Sequence, residues 1–259
     1  FGILDGRIDP QSADLKNQLI QYYDQMHANP PDLGATLRAG LIAGMGKNAL
    51  LGICPGASIW HASIYDNPSS NSIDRFMSAM EWIYLEKVDI IFLSLSFPEG
   101  ELSSSQRKQL NHLFQKCHRA GMLMIAPVGD GRPGVNGLQY PGALAHCLSV
   151  GSVDKNKKVT AFSLRSQTLD LLAPSEELFP SDIQPGQAST AFSASFVTGV
   201  AGLLLEVARS NIEKFKPSQL KELFRLTAKP KYRESKCKDL AYGCGILHIP
   251  AALEKIKTF

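Results

Sequence analysis

This sequence predicts an α/β fold in which a mostly parallel sheet is flanked by helices, and three observations predict it. Short apolar runs of β-forming residues alternate with longer runs of helical periodicity. The short runs are apolar on both faces, as strands covered on both sides must be. The helical runs carry start and stop signals. Asn71-Ser72 precedes a stripe of Ile73, Phe76, Met77, Met80 and Ile83, Gly121 closes the next long run, and Pro217-Ser218 opens a late one.

In chain order, Ile3-Leu4 is the first apolar strand, and Gly34 to Met45 a helix rich in small residues that can lie close to a sheet. A strand at 58–64 leads to the striped helix at 72–87, and a strand at 90–95 to a helix at 103–120. Strands at 123–128 and 147–153 follow. A long helix at 190–211 carries Ala194, Gly199, Ala201 and Gly202 for close contact, and helices at 217–227 and 249–257 end the chain. No repeat, low-complexity tract or linker interrupts residues 1–259, so a single domain is expected. The chain opens at Phe1 inside its first strand, so an N-terminal segment of the fold is expected to lie upstream.

Composition excludes several function classes. With 44% hydrophobic residues in 259, the chain can build one large core. Its 27 Lys+Arg against 24 Asp+Glu leave +3, without the basic face of a nucleic-acid binder. Lys155-Asn156-Lys157-Lys158 reads as a solvated turn. No apolar run is expected to span a membrane. The five cysteines are too dispersed for a disulfide scaffold or a structural zinc site. Cys54, Cys117 and Cys147 are expected as buried thiols, while Cys237 and Cys244 flank a turn and could pair. No metal or cofactor is expected, and no acidic loop is distinct enough to assign calcium, which stays open. Cellular location stays open, with the cytoplasm favoured.

Chemistry concentrates in four motifs. Ile3-Leu4-Asp5-Gly6-Arg7-Ile8-Asp9 is a hydrophobic strand ending in an acid. Gly34-Ala35-Thr36-Leu37-Arg38-Ala39-Gly40-Leu41-Ile42-Ala43-Gly44 is followed by Gly52-Ile53-Cys54-Pro55-Gly56-Ala57. Ile125-Ala126-Pro127-Val128-Gly129-Asp130-Gly131 follows the segment Ser94-Leu95-Ser96-Phe97-Pro98. Last comes Ser189-Thr190-Ala191-Phe192-Ser193-Ala194-Ser195-Phe196-Val197-Thr198-Gly199. In this order, across nearly the whole chain, they resemble the subtilisin-like serine proteases (subtilases, peptidase family S8). The Asp-Gly-x-x-Asp form is closest to the branch that processes cyanobactin precursor peptides, whose members also carry a cysteine pair near the positions of Cys237 and Cys244. The resemblance implies a three-layer α/β/α subtilisin-like fold.

It also implies a degenerate catalytic centre. Asp5 matches the acid that orients the catalytic imidazole. The general-base position holds Gly34, and the nearest histidines are His27 and His61. His61 reads as a half-buried strand residue. The nucleophile position holds Ala191, and Ser189 and Ser193, each displaced by two residues, turn away from it. Asp130 stands where an asparagine would donate to the oxyanion, and its charge would repel one. Residues 94–98 match the strand that pairs with substrate, and Phe97 and Pro98 are expected to narrow that groove.

The implied function is an inactive subtilisin-like domain that binds or scaffolds a peptide or protein in peptide natural-product maturation, its partner a precursor peptide or an active paralogue. Three alternatives stay open. One is an endopeptidase carrying an engineered Ser-to-Ala change. Another is an enzyme with displaced acid–base chemistry through Asp5, Asp130, His61 or nearby cysteines. The third is a structural part of a larger polypeptide.

Overall fold

The computed structural model describes residues 1–24, 30–47, 51–65, 72–131, 137–178, 188–230 and 239–258. Seven parallel strands form one sheet in the order β2-β3-β1-β4-β6-β8-β9. They are β1 (Gly2–Gly6), β2 (Leu19–Asp24), β3 (Ile59–Tyr65), β4 (Ile90–Leu93), β6 (Leu123–Pro127), β8 (Cys147–Val153) and β9 (Leu171–Pro174). A separate two-stranded ladder joins β5 (Phe97–Pro98) to β7 (Gln139–Tyr140). The helices are α1 (Leu33–Ala43), α2 (Ile73–Leu85), α3 (Ser104–Arg119), α4 (Thr190–Asn211), α5 (Leu220–Thr227) and α6 (Ile249–Ile256).

Strand side chains alternate between two cores. Ile3, Phe92, Ile125 and Val150 face the layer of α1, α4, α5 and α6. Leu4, Ile91, Leu93, Met124 and Ala126 face the layer of α2 and α3. This is the expected three-layer subtilisin-like α/β/α arrangement. All six helices form where the sequence placed them. β2 escaped the sequence reading because an edge strand keeps polar, exposed positions such as Gln21. β9 escaped it because the strand is only four residues long and ends on Pro174.

Local signals set the helix starts. Asp32 caps α1 by accepting the Ala35 N–H at 2.5 Å. Ser72 caps α2, and Ser103 with Gln106 forms a capping box on α3. α4 has 22 residues and is long and apolar enough to cross a membrane, against the expectation that no run is. In the fold it packs against β4, β6, β8, β9, α1 and α6, which accounts for its apolar surface. Gly199 and Gly202 make close approach possible: a Cβ at 199 would meet Ile53 Cβ at 2.7 Å, and one at 202 would collide with Phe1 and Cys54. Cys117 and Cys147 are buried thiols, whereas Cys54 is only half-buried, because the loop that carries it lies at the surface. Cys244 is disulfide-bonded. Cys237, its expected partner, lies outside the described residues.

Candidate functional site

The chain runs outward from β1 in both directions, to β3 on one side and β4 on the other. Such a switch point opens a crevice at the carboxyl ends of the strands. Asp5 stands there, near the end of β1, on the face that carries Ile3 and looks toward α1 and α4.

Asp5 is fully buried and fully engaged. It accepts from Arg38 through two bonds, Nε to Oδ2 at 2.8 Å and Nη2 to Oδ1 at 2.7 Å. It also accepts from the Tyr65 hydroxyl at 2.6 Å and the Gly6 N–H at 2.7 Å. Tyr65 in turn meets Ser94 Oγ at 3.3 Å. Burial alone would push the Asp5 carboxyl up, but the Arg38 charge and hydrogen bonds from Arg38, Tyr65 and Ser94 outweigh it and hold the group below its usual value. Burial would likewise lower the Arg38 pKa, but the Asp5 charge holds it above the ordinary value. Burial and the Asp5 charge push Tyr65 up, so its hydroxyl remains a donor.

Arg38 follows Gly34 by four residues, so both lie on one face of α1. Because Gly34 has no side chain, the guanidinium folds back over it. A Cβ at 34 would meet Arg38 Nη1 at 3.1 Å and Asp32 Oδ1 at 3.2 Å. The other side of the guanidinium meets the Phe192 ring, with Cζ 5.4 Å from its centroid. Arg38 thus bridges the acid and the first turn of α4, where a catalytic imidazole would stand if position 34 were histidine.

Ala191 lies in that first turn and is 8% exposed. Ser193 donates to the Ala173 carbonyl at 3.0 Å, and Ser195 to the Phe192 carbonyl at 2.8 Å, so both hydroxyls are tied to backbone. Ser189 occupies the N-cap position of α4, yet its side chain makes no cap bond. Asp130 does the capping instead: its Oδ1 accepts from Thr190 N–H and Thr190 Oγ1, both at 2.8 Å. A fixed carboxylate therefore sits at the positive end of a long helix. Asp130→Ala is expected to cost about 1 kcal/mol through loss of this cap, measurable by chemical denaturation. No change on substitution would count against the capping role.

His61 lies on β3 opposite Ile3, two residues short of Ser63, the partner of Asp5. It is fully buried, with its ring centroid 5.0 Å from that of Tyr22. The expectation of a half-buried residue is corrected, because β2 covers it. Among the described residues no histidine hydrogen-bonds to Asp5. His27 lies outside them.

Residues Ser94, Leu95 and Ser96 connect β4 to β5 without joining a strand. Ser94 and Leu95 are buried. Phe97 corrects the expectation of a narrowed groove. It is 3% exposed and packs edge-on against Phe76 at 5.7 Å, so its bulk fills the core. Pro98 pairs with Gln139 in the small ladder. The sequence reading missed Arg38, Tyr65 and Thr190. Arg38 did give a signal, since an arginine among small and apolar residues on a core helix needs a buried partner.

The geometry can now be set beside known proteins. The sequence profile of the subtilase family, Peptidase_S8, matches residues 1–245. Subtilisin DY of Bacillus licheniformis is 25% identical over 222 residues, covering 83% of this chain and 76% of its own. Subtilisin E of Bacillus subtilis (strain 168) is 24% identical over 261 residues, covering 97% of this chain, which spans 65% of that relative's length. The structure of the patellamide maturation protease PatA superposes with a TM-score of 0.81 at 23% identity, covering 99% of this chain and 96% of that one.

Proposed function

Since the chain belongs to the subtilase family, we propose that it is a member without hydrolytic chemistry, which holds a peptide or protein instead of cutting it. The observation that carries this reading is the Arg38–Asp5 pair seated over Gly34. Proteolysis by the Ser-His-Asp route needs a base that takes a proton from the nucleophile. A guanidinium is always charged and has no acceptor. Ala191 offers no oxygen to attack with, and the Asp130 carboxylate is an acceptor where a donor would be needed.

An engineered Ser-to-Ala change fits this site less well. It would alter position 191 alone, whereas Gly34 accommodates the Arg38 guanidinium and Asp130 separately stands in place of the expected asparagine. Displaced acid–base chemistry is disfavoured as well, because Asp5 and Asp130 are both bound to internal donors.

A ligand-holding role is supported by Leu95 and Ser96, which belong to no strand, whereas Ser94 N–H already donates to the Leu4 carbonyl of β1 at 3.1 Å. A peptide in extended form can add to such an edge through backbone hydrogen bonds. PatA is by its name a maturation protease. By analogy, the ligand class proposed here is a precursor peptide of natural-product maturation, or an active paralogue that processes one. Purified protein is expected to show no turnover on a panel of fluorogenic peptides, yet to retain a precursor peptide in a pull-down. Turnover that scales with protein and survives repeated purification would refute the inactive reading. Failure to retain either partner would refute the binding role.

A further inference from the structure

A second surface of the molecule is built for a ligand of defined charge. A cleft of about 790 Å³ opens where the turn after β8 faces the segment after α5 and the chain around Asp239. Lys157, Lys158, Arg165 and Lys229 reach it, all four of them exposed. None of the four belongs to an ion pair among the described residues. Nearby Lys155 differs, being paired with Glu177 at 3.0 Å outside the lining.

Among the described residues, Asp239 is the one acid in the lining. Its Oδ1 already accepts from Ala241 N–H at 2.8 Å and Tyr242 N–H at 3.0 Å. Asp154, at the start of the turn, accepts from Asn156 N–H and Lys158 N–H at 2.8 Å each, which fixes the turn's shape. Among the described residues the lining carries four cations against one carboxylate and is therefore net positive. Such a surface raises the local concentration of anions. The floor is apolar: Val159 and Ile246 line the cleft and pack on the core of Val153, Leu169 and Leu172.

The segment that leads into Arg165 is fixed to the candidate site. Asp130 pairs with Ser163, and Gly131 N–H donates to the Phe162 carbonyl at 2.6 Å. Leu164 N–H donates to the Gly129 carbonyl at 3.1 Å.

We infer that this cleft binds an acidic peptide segment, one in which Asp or Glu residues flank an apolar side chain. The cations meet the carboxylates and the floor takes the apolar group. A nucleic acid fits less well, because the chain carries only +3 overall and the cleft also has an apolar floor of Val159 and Ile246. The inference is independent of whether the Asp5 centre hydrolyses anything.

The test uses the full chain and a fluorescein-labelled Glu-Asp-Leu-Glu-Asp-Leu peptide, read by fluorescence anisotropy in low salt. The peptide is expected to bind, to weaken at least tenfold in Lys158→Glu/Arg165→Glu, and to release as salt rises. A Lys-for-acid version should not bind. Lys16→Glu/Lys108→Glu makes the same change in net charge at exposed positions elsewhere, and it should bind the peptide like the original. Equal loss in both double variants would mean that only net charge acts and would overturn the inference. So would no binding of the acidic peptide, or preference for a labelled single-stranded oligonucleotide. Circular dichroism of both variants separates loss of binding from loss of fold. Peptide hydrolysis together with intact cleft binding would remove the inactive reading and leave the cleft standing.

Discussion

Arg38→Met is expected to destabilise the folded chain by about 3–5 kcal/mol, because it strands a carboxylate that has been removed from water. In a chain of this size that is a fall in Tm on the order of 10 °C. Asp5 has no access to solvent, and two of its hydrogen bonds come from the arginine. The double variant Asp5→Ala/Arg38→Met should recover much of the loss, since an apolar pair leaves no charge buried. The pH dependence gives a second readout. Asp5 lies below its usual value in the folded chain, so its contribution is present above the unfolded pKa, about 3.9, and is lost as pH falls through the folded value. Without Arg38, burial would raise that pKa instead. The variant would then gain stability on acidification from pH 7 toward pH 5, the slope opposite to that of a depressed carboxyl. A loss below 1 kcal/mol, or an unchanged pH slope, would show that the pair does not hold the site together.

Peptide hydrolysis is expected to stay at background in Ala191→Ser and equally in Gly34→His/Ala191→Ser. In subtilisin, loss of the serine or histidine alone costs roughly a millionfold in turnover, so restoring one group of a broken set returns nothing. Restoring two leaves Arg38 in place: its Nη1 lies 3.1 Å from a Cβ at 34, so a histidine there must displace a guanidinium that is bonded to Asp5. Arg38 would also keep Asp5 from orienting the new imidazole. The combination Gly34→His/Arg38→Ala/Asp130→Asn/Ala191→Ser frees the acid, supplies base and nucleophile, and turns the oxyanion position into a donor. Only this variant is expected to rise above background, by about a hundredfold or more, the scale of a single oxyanion donor. Activity in Ala191→Ser alone would mean that a base acts on the site which Arg38 was taken to exclude.

Motifs made the degenerate positions legible in the sequence. Asp5, Gly34, Asp130 and Ala191 each stand in a segment whose neighbours fix the register. What surrounds those positions was harder to see. Arg38 and Tyr65 sit 33 and 60 residues from Asp5 in the chain, and only the fold brings them within 2.8 Å of it. Phe97 illustrates the limit from the other side. Its position beside a groove could be read, but the direction of its side chain depends on Phe76, from another element. The Lys157-Lys158 turn was read correctly as solvated, and its place opposite Lys229 and Arg165 could not be read.

The sequence by itself determined the alternation of strands and helices, the helix positions to within about two residues and the absence of a side-chain oxygen or imidazole at positions 191 and 34. Those follow from periodicity, capping residues and residue identity, which are local. The tertiary structure alone decided what surrounds these positions: a guanidinium lies over Gly34, a carboxylate caps α4, and four cations share one cleft. The physical reason is that a buried charge is stabilised by whichever opposite charge or donor the fold brings to it, and such partners lie far away in the chain.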